Sequence, residues 1–165
     1  MKDKSYYMLI VAILLLATIA LMLFLFVHQA DEKFEDSIMV EEKGITETLI
    51  PVKDLVLTPG AKKDYHVKLI CEASGVYFIH AEFIESYDGG MKEFVNVFVE
   101  LNGERVYEGC LAELLDDGIV VSTEGELHAK EPIDFSFVYE MPVTVGNEAM
   151  GTCSEFDVKI SIEKK

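Results

Sequence analysis

The twenty residues from Met8 to Val27 carry no charge and no proline, and this run constrains the fold of the chain more than any other feature. At about 1.5 Å of rise per residue, a helix of that length spans the roughly 30 Å hydrocarbon core of a bilayer. The sequence therefore predicts a transmembrane helix, or an uncleaved signal anchor, at residues 8–27.

The charges on either side of this run predict its orientation. Lys2 and Lys4 precede it, whereas Asp31 and Glu32 follow it. Basic residues beside a span are retained on the cytoplasmic side. We therefore expect a single-pass protein of the cell membrane, with residues 1–7 in the cytoplasm and the C-terminal part outside the cell.

A cleaved signal peptide is the alternative interpretation of the same run. The apolar core of a signal peptide usually has about 7–15 residues and ends in a small-x-small site. Here the core is longer, and His28-Gln29-Ala30 places a large residue three positions before a cut at Asp31. These features favour a retained anchor, and the mature N-terminus distinguishes the two interpretations.

The charge of the chain limits its partners. Its 30 acidic and 14 basic residues give a formal net charge of −16. Nucleic acid would repel such a surface, so no nucleic-acid partner is expected. The membrane is the expected partner of residues 8–27.

Residues 28–47 are polar and rich in Glu and Lys, and they predict an acidic stalk that continues the helix outward and stops near Gly44. From residue 48 onward, short apolar runs alternate with Gly, Asp and Asn turns, which is typical of an antiparallel sandwich. The predicted strands are Val52–Leu57, Lys63–Glu72, Val76–Glu85, Phe94–Leu101, Glu104–Gly109, a minor Ile119–Ser122, Ile133–Met141 and Phe156–Ile162.

Two local signals complete the predicted domain. Asn102-Gly103 predicts a tight hairpin, because both residues tolerate positive φ. Cys110–Leu115 has helical spacing and predicts one short helix, which must pack on the sandwich to be stable. We predict an all-β extracellular domain at residues 48–165, an antiparallel jelly-roll or Ig-like β-sandwich with one short helix. The absence of long alternating helices excludes a parallel sheet.

No catalytic residue, metal ligand or cofactor is nominated from the sequence. His66 and His80 lie on neighbouring predicted strands and supply two ligands at most, whereas a catalytic zinc needs three. Acidic pairs at Asp116-Asp117 and Glu124–Glu126 lack the ligand spacing of a calcium loop. Three cysteines leave at least one unpaired, and a Cys110–Cys153 bridge is left open.

One C-terminal segment resembles the TasA/camelysin-type proteins. It comprises Tyr139-Glu140-Met141-Pro142, the loop Gly146-Asn147-Glu148-Ala149-Met150-Gly151 and the alternating strand Phe156–Ile162. The resemblance covers roughly residues 48–165. It implies a jelly-roll-like sandwich that is secreted or displayed on the surface of bacteria, in biofilm matrix, and whose relatives can form fibres.

Some relatives are described as metallo-endopeptidases, but no zinc-protease motif is present in this chain. The longer apolar run also departs from the cleavable signal that is usual in the family. We therefore expect a non-catalytic, membrane-anchored module for adhesion or matrix association. The resemblance implies other matrix proteins or further copies of the chain as partners, through sheet edges. A secreted fibre subunit is the alternative, and a camelysin-like protease is a weaker one.

An accessory subunit of a membrane complex is a further alternative, and it predicts an exposed apolar patch on the sandwich. Phe94 and Phe98 lie opposite the valines of their strand, and Phe78 and Ile84 share another face. A central strand covered by core on both faces would produce the same pattern.

Overall fold

The computed structural model describes residues 34–165. Nine strands and one α-helix follow in chain order: β1 Phe34–Val40, β2 Ile45–Leu55, β3 Lys62–Cys71, β4 Gly75–Asp88, β5 Asn96–Leu101, β6 Glu104–Cys110, α1 Leu111–Asp116, β7 Val121–Leu127, β8 Pro132–Glu140 and β9 Ser154–Lys164. Short 3-10 turns at Lys92–Phe94 and Asn147–Ala149 interrupt two of the connections.

The strands form two sheets, of order β1-β3-β8-β5-β6 and β2-β9-β4-β7. Four antiparallel pairs, β2/β9, β3/β8, β4/β7 and β5/β6, nest inside one another along the chain. A long hairpin rolled into two facing sheets gives this nesting, which is the jelly-roll arrangement. The predicted β-sandwich with one short helix is confirmed, and the strand order selects the jelly roll over the Ig-like alternative.

The core lies between the sheets and is built by strict alternation along the strands. In β9, Phe156, Val158, Ile160 and Ile162 are buried while the residues between them are not. Aromatic rings fill the centre, with Phe83 edge-on to Phe137 at 5.9 Å between centroids. Because side chains alternate between faces, a slip of one residue would expose the whole buried set, which fixes the register.

The prediction that the sandwich is antiparallel was wrong for one strand pair. β1 pairs in parallel with β3, with Phe34 level with Tyr65 and Val40 level with Cys71. The reason is that β2, which separates these strands in sequence, crosses to the other sheet and supplies the return that a long helix usually makes.

The predicted acidic stalk was also wrong for residues 34–47, because β1 and the start of β2 occupy that range. The sandwich therefore begins at residue 34 rather than 48. Ile38 and Val40 of β1 are buried in the core, at 5% and 1% exposure. The predicted stalk residues 28–33 lie outside the described range.

The minor strand predicted at Ile119–Ser122 is longer in the structure, because Thr123–Glu126 continue it as part of β7, an edge strand paired with β4. Gly125 lies on the inner side of this strand. A Cβ at this position would lie 2.9 Å from the Leu101 side chain. The glycine thus leaves room for a neighbouring core side chain rather than making a turn.

Within residues 34–165, no helix is long and apolar enough to cross a membrane. The predicted span Met8–Val27 and the predicted cytoplasmic residues 1–7 lie outside the described range.

Candidate functional site

The strongest polar cluster of the sandwich surrounds one buried lysine. The Lys92 ammonium lies 2.7 Å from Asp116, 2.8 Å from Glu85 and 3.1 Å from Asp88, and the Lys92 side chain is 8% exposed. We call these four residues the lysine cluster. It ties the end of β4, the 3-10 turn before β5 and the end of α1 to one another.

The contacts within the lysine cluster shift the pKa values of Lys92 and Asp88. The carboxylates of Asp116 and then Glu85 raise the pKa of Lys92 well above its usual value, against the opposing effect of burial. The Gly90 amide, which donates 2.7 Å to Asp88, and then Lys92 lower the pKa of Asp88. The ammonium is therefore a permanent cation, and its role is structural rather than that of a proton donor.

His66 and His80, which lie on neighbouring predicted strands, do not meet in the structure. His66 lies on β3 in the five-stranded sheet, whereas His80 lies on β4 in the four-stranded sheet. The Nδ1 atom of His66 is 2.9 Å from Asp134, and that of His80 is 2.8 Å from Ser122. Consecutive strands of a jelly roll cross between sheets, and this separates residues that a simple hairpin would bring together.

Ser136 is the ladder neighbour of His66 on β8, next to Asp134. Serine, histidine and aspartate side chains thus come together on the outer face of one sheet, as a hydrolytic triad requires. However, Ser136 is only 3% exposed. The hydroxyl is closed to a substrate, and the arrangement fits a hydrogen-bonded sheet face rather than a nucleophilic centre.

Metal-ligating side chains are dispersed over the described part of the chain. No group of three His, Cys, Asp or Glu residues among residues 34–165 is placed to hold a metal ion. In the two acidic pairs, Asp116 binds Lys92, and Glu124 lies 3.1 Å from the Lys165 ammonium. One carboxylate of each pair is therefore used in an ion pair within the protein.

All three cysteines are free thiols. Cys71 is buried in the core, and its burial raises the pKa of its thiol. Cys110 precedes α1, and its Sγ lies 3.5 Å from the Lys92 carbonyl oxygen. Cys153 packs beside Gly89, where a Cβ would lie 2.9 Å from its sulfur. The Cys110–Cys153 bridge that the sequence left open is not formed.

The phenylalanines proposed as an accessory patch are largely covered. Phe98 faces away from the core yet is only 9% exposed, and the Arg105 guanidinium lies over its ring at 4.1 Å. Phe94 packs against the core. On the other sheet, Phe78 stacks on His80 and Lys165 covers its ring at 5.3 Å, while Ile84 is 40% exposed.

Comparison with known proteins identifies no family. No protein-family model matches the chain, and no curated protein matches it. Membership of the TasA/camelysin-type proteins therefore stays a prediction.

Solved structures with a similar course of strands exist, at low identity. The CUB1-EGF-CUB2 domains of rat MASP-1 align at a TM-score of 0.40 and 12% identity, over 77% of this chain and 42% of that one. A Paenibacillus barengoltzii β-glucosidase gives 0.38 and 12%, over 81% of this chain and 12% of that one. The pre-peptidase C-terminal domain of a Bacillus anthracis collagenase gives 0.36 and 8%, over 81% and 98%. Because these scores are low, the fold assignment rests on the strand order.

The N-terminal edge is the other feature that bears on function. Among the strands of residues 34–165, β1 pairs with β3 alone and lies at the outer edge of its sheet. Its other side presents backbone N–H and C=O groups that another strand could pair with. β1 also supplies Ile38 and Val40 to the core, so the sandwich is complete only when a strand occupies this position.

Proposed function

We propose that this protein is a non-catalytic β-sandwich module that Met8–Val27 anchors in the cell membrane and that is displayed outside the cell for adhesion or matrix association. The observation that carries the proposal is the spacing of the chain. Six residues separate the end of the apolar run at Val27 from the first strand, which begins at Phe34. The sandwich would thus be held close to the membrane, without a long stalk.

The mature N-terminus tests this proposal. Mass spectrometry of the protein from membrane and medium fractions should find residues 1–7 intact in the membrane fraction. An N-terminus near Asp31 in the medium would contradict the anchored form. Leu14→Lys, Leu16→Lys and Ile19→Lys together place three charges near the centre of the run, at a cost of about 2.5–3.5 kcal/mol each for insertion. Because this sum exceeds the roughly 0.3–0.6 kcal/mol that each remaining Leu, Ile, Phe or Val contributes to insertion, the triple variant should leave the membrane fraction. The corresponding triple alanine variant is the matched control.

The secreted fibre subunit is the second candidate, and the edge position of β1 favours it. An N-terminal strand that completes a sandwich from its edge can be supplied by a neighbouring copy instead of its own chain. Release of the chain by signal cleavage would free β1 to make this exchange.

A designed crosslink separates the two candidates. Ser37 of β1 lies opposite Lys68 of β3. A Ser37→Cys, Lys68→Cys variant should form a disulfide within one chain if β1 stays in its own sandwich. Exchange of β1 between copies would instead give a ladder of crosslinked chains on a non-reducing gel. The single variants Ser37→Cys and Lys68→Cys control for pairing with the natural cysteines.

A further inference from the structure

Four connections emerge at one end of the sandwich, which we call the loop end. The ladders set Lys62 and Asn96 level with Glu140, and Leu55 and Asp88 level with Ser154. The connections 56–61, 89–95, 111–120 and 141–153 therefore leave the sheets on the same side. β1 also starts on this side, because it runs parallel to β3, which begins there.

The exposed apolar side chains are distributed unevenly between the two ends. Connections of the loop end carry five large exposed hydrophobic residues, namely Val56, Ile119, Val120, Val143 and Met150. Within residues 34–165, the opposite connections, 41–44, 72–74, 102–103 and 128–131, carry none of the large exposed hydrophobic residues, although Met39, Ile45 and Val76 lie exposed at the strand ends beside them. They are made instead of charged and small residues such as Glu41, Glu42 and Lys43.

Two loop-end connections that contact each other, residues 56–61 and 141–153, contain almost no charged side chains. The Gly60 amide donates 2.8 Å to the Met141 carbonyl, and a Cβ on Gly60 would lie 2.9 Å from the Val143 side chain. Residues 56–61 contain no charged side chain, and residues 141–153 contain only Glu148, in a chain of net charge −16. We call the exposed Val56, Val143 and Met150 of these two connections the tip.

The position of the tip indicates what covers it. The chain between Val27 and Phe34 reaches at most about 25 Å when fully extended. The tip connections adjoin β3 and β8, the strands nearest β1, and β1 begins at the same end of the sandwich. Three side chains are too few to bury the roughly 1,000 Å² that a stable protein interface needs.

We propose that the loop end is a second membrane contact, in which Val56, Val143 and Met150 enter the boundary between headgroups and acyl chains. This inference rests on the proposed anchoring by Met8–Val27. The anchor supplies proximity, and the tip then fixes which end of the sandwich faces the lipid. Free β1 and β2 edges would stand away from the surface, available to partners. The lipid is zwitterionic, because the acidic chain is repelled by anionic headgroups.

The absence of tryptophan from the chain gives a direct test. Val143→Trp places a sole tryptophan in the tip, at a side chain that is 79% exposed. Lys43→Trp places it in the opposite connection as the matched control. The full-length variants are reconstituted into phosphatidylcholine vesicles with brominated acyl chains. Insertion of about 5–10 Å should shift the V143W emission to the blue and quench about half of it, leaving K43W unchanged.

The outcomes are distinguishable. Adding Val56→Asp and Met150→Asp to V143W should abolish the quenching while the protein still floats with the vesicles. Flotation of V143W with the same unquenched emission as K43W overturns the tip contact and leaves the anchor standing. Protein that stays in the aqueous fraction overturns both. A blue shift that grows with protein concentration without bromine quenching assigns the tip to a second copy and overturns the lipid contact.

Discussion

The Lys92 ammonium lies 2.7 Å from an oxygen of Asp116, although the two residues belong to different connections of the loop end. Glu85 and Asp88 contact the same ammonium, so one buried cation joins three segments that share no backbone ladder. The lysine cluster therefore joins the loop-end segments at the place where the sheets end.

Removing the cation should destabilise the fold. Lys92→Met leaves three carboxylates facing one another, and we expect a loss of about 2–3 kcal/mol in the free energy of unfolding, less than for a fully buried pair because the carboxylates are partly exposed. Urea denaturation measures it. Lys159→Met, which breaks the exposed pair with Glu47, is the control and should change stability little. Equal stability of the two variants would contradict a structural role for the lysine cluster.

Acid should weaken the lysine cluster by protonating the Asp88 carboxylate. The Gly90 amide and then Lys92 hold the pKa of this carboxyl below its ordinary value. A depressed folded-state pKa stabilises the fold above the unfolded pKa of about 3.9, and this contribution is lost as the pH falls through the folded value. Asp88→Asn should therefore flatten the loss of stability between about pH 5 and pH 2. Glu131→Gln, which removes an exposed charge, is the control. An unchanged acid slope in Asp88→Asn would exclude this linkage.

The sequence predicted well the elements whose residue types alone indicate a turn or a buried face. Asn102 and Gly103 have φ values of 52° and 77°, as the predicted hairpin requires, and β5 pairs with β6 across them. The alternation in Phe156–Ile162 matches a strand with one buried face. In these segments local turn chemistry, core burial and register favour the same structure.

The first strands were missed because their pattern is inverted. At the start of β2, Ile45 and Leu49 are exposed, at 60% and 54%, while the threonines between them face inward. Alternation of apolar and polar residues therefore gives no signal there. The acidic start of β1 favoured a stalk, and its partner β3 lies about thirty residues further along the chain. Pairing over that separation is a tertiary effect that local propensity does not report.

The sequence did not predict the lysine cluster, for a similar reason. Glu85, Asp88 and Asp116 are three of 30 acidic residues, and no spacing marks them as a set. Only the crossing of β4 and α1 at the loop end brings them to Lys92. Sequence could predict a short helix at Cys110–Leu115, and the structure places it at Leu111–Asp116, but its ion pair depends on how it packs.

Tyr139 offers a stabilising substitution. It is fully buried, its burial raises its pKa well above the ordinary value, and its hydroxyl has no hydrogen-bond partner among residues 34–165. Tyr139→Phe should therefore raise the free energy of unfolding by about 1 kcal/mol. Tyr77→Phe is the matched control, because the Tyr77 hydroxyl donates 2.7 Å to the Ala73 carbonyl, and it should lower stability by about the same amount. Thermal unfolding distinguishes the two signs, and a destabilised Tyr139→Phe would reveal a partner for the hydroxyl.

A substitution at Phe98 tests whether the outer face of its sheet stabilises the fold or binds a partner protein. Its ring lies away from the core but is covered by Arg105, whose guanidinium also lies 3.6 Å from Glu100. Phe98→Glu would place a carboxylate in this covered position, and we expect a loss of about 2–3 kcal/mol because the apolar contact is removed. Chemical denaturation measures that loss, and Arg105→Met, which keeps a long apolar side chain over the ring, should cost less. Intact stability of Phe98→Glu together with lost association would instead assign this face to a partner protein and revive the accessory-subunit alternative.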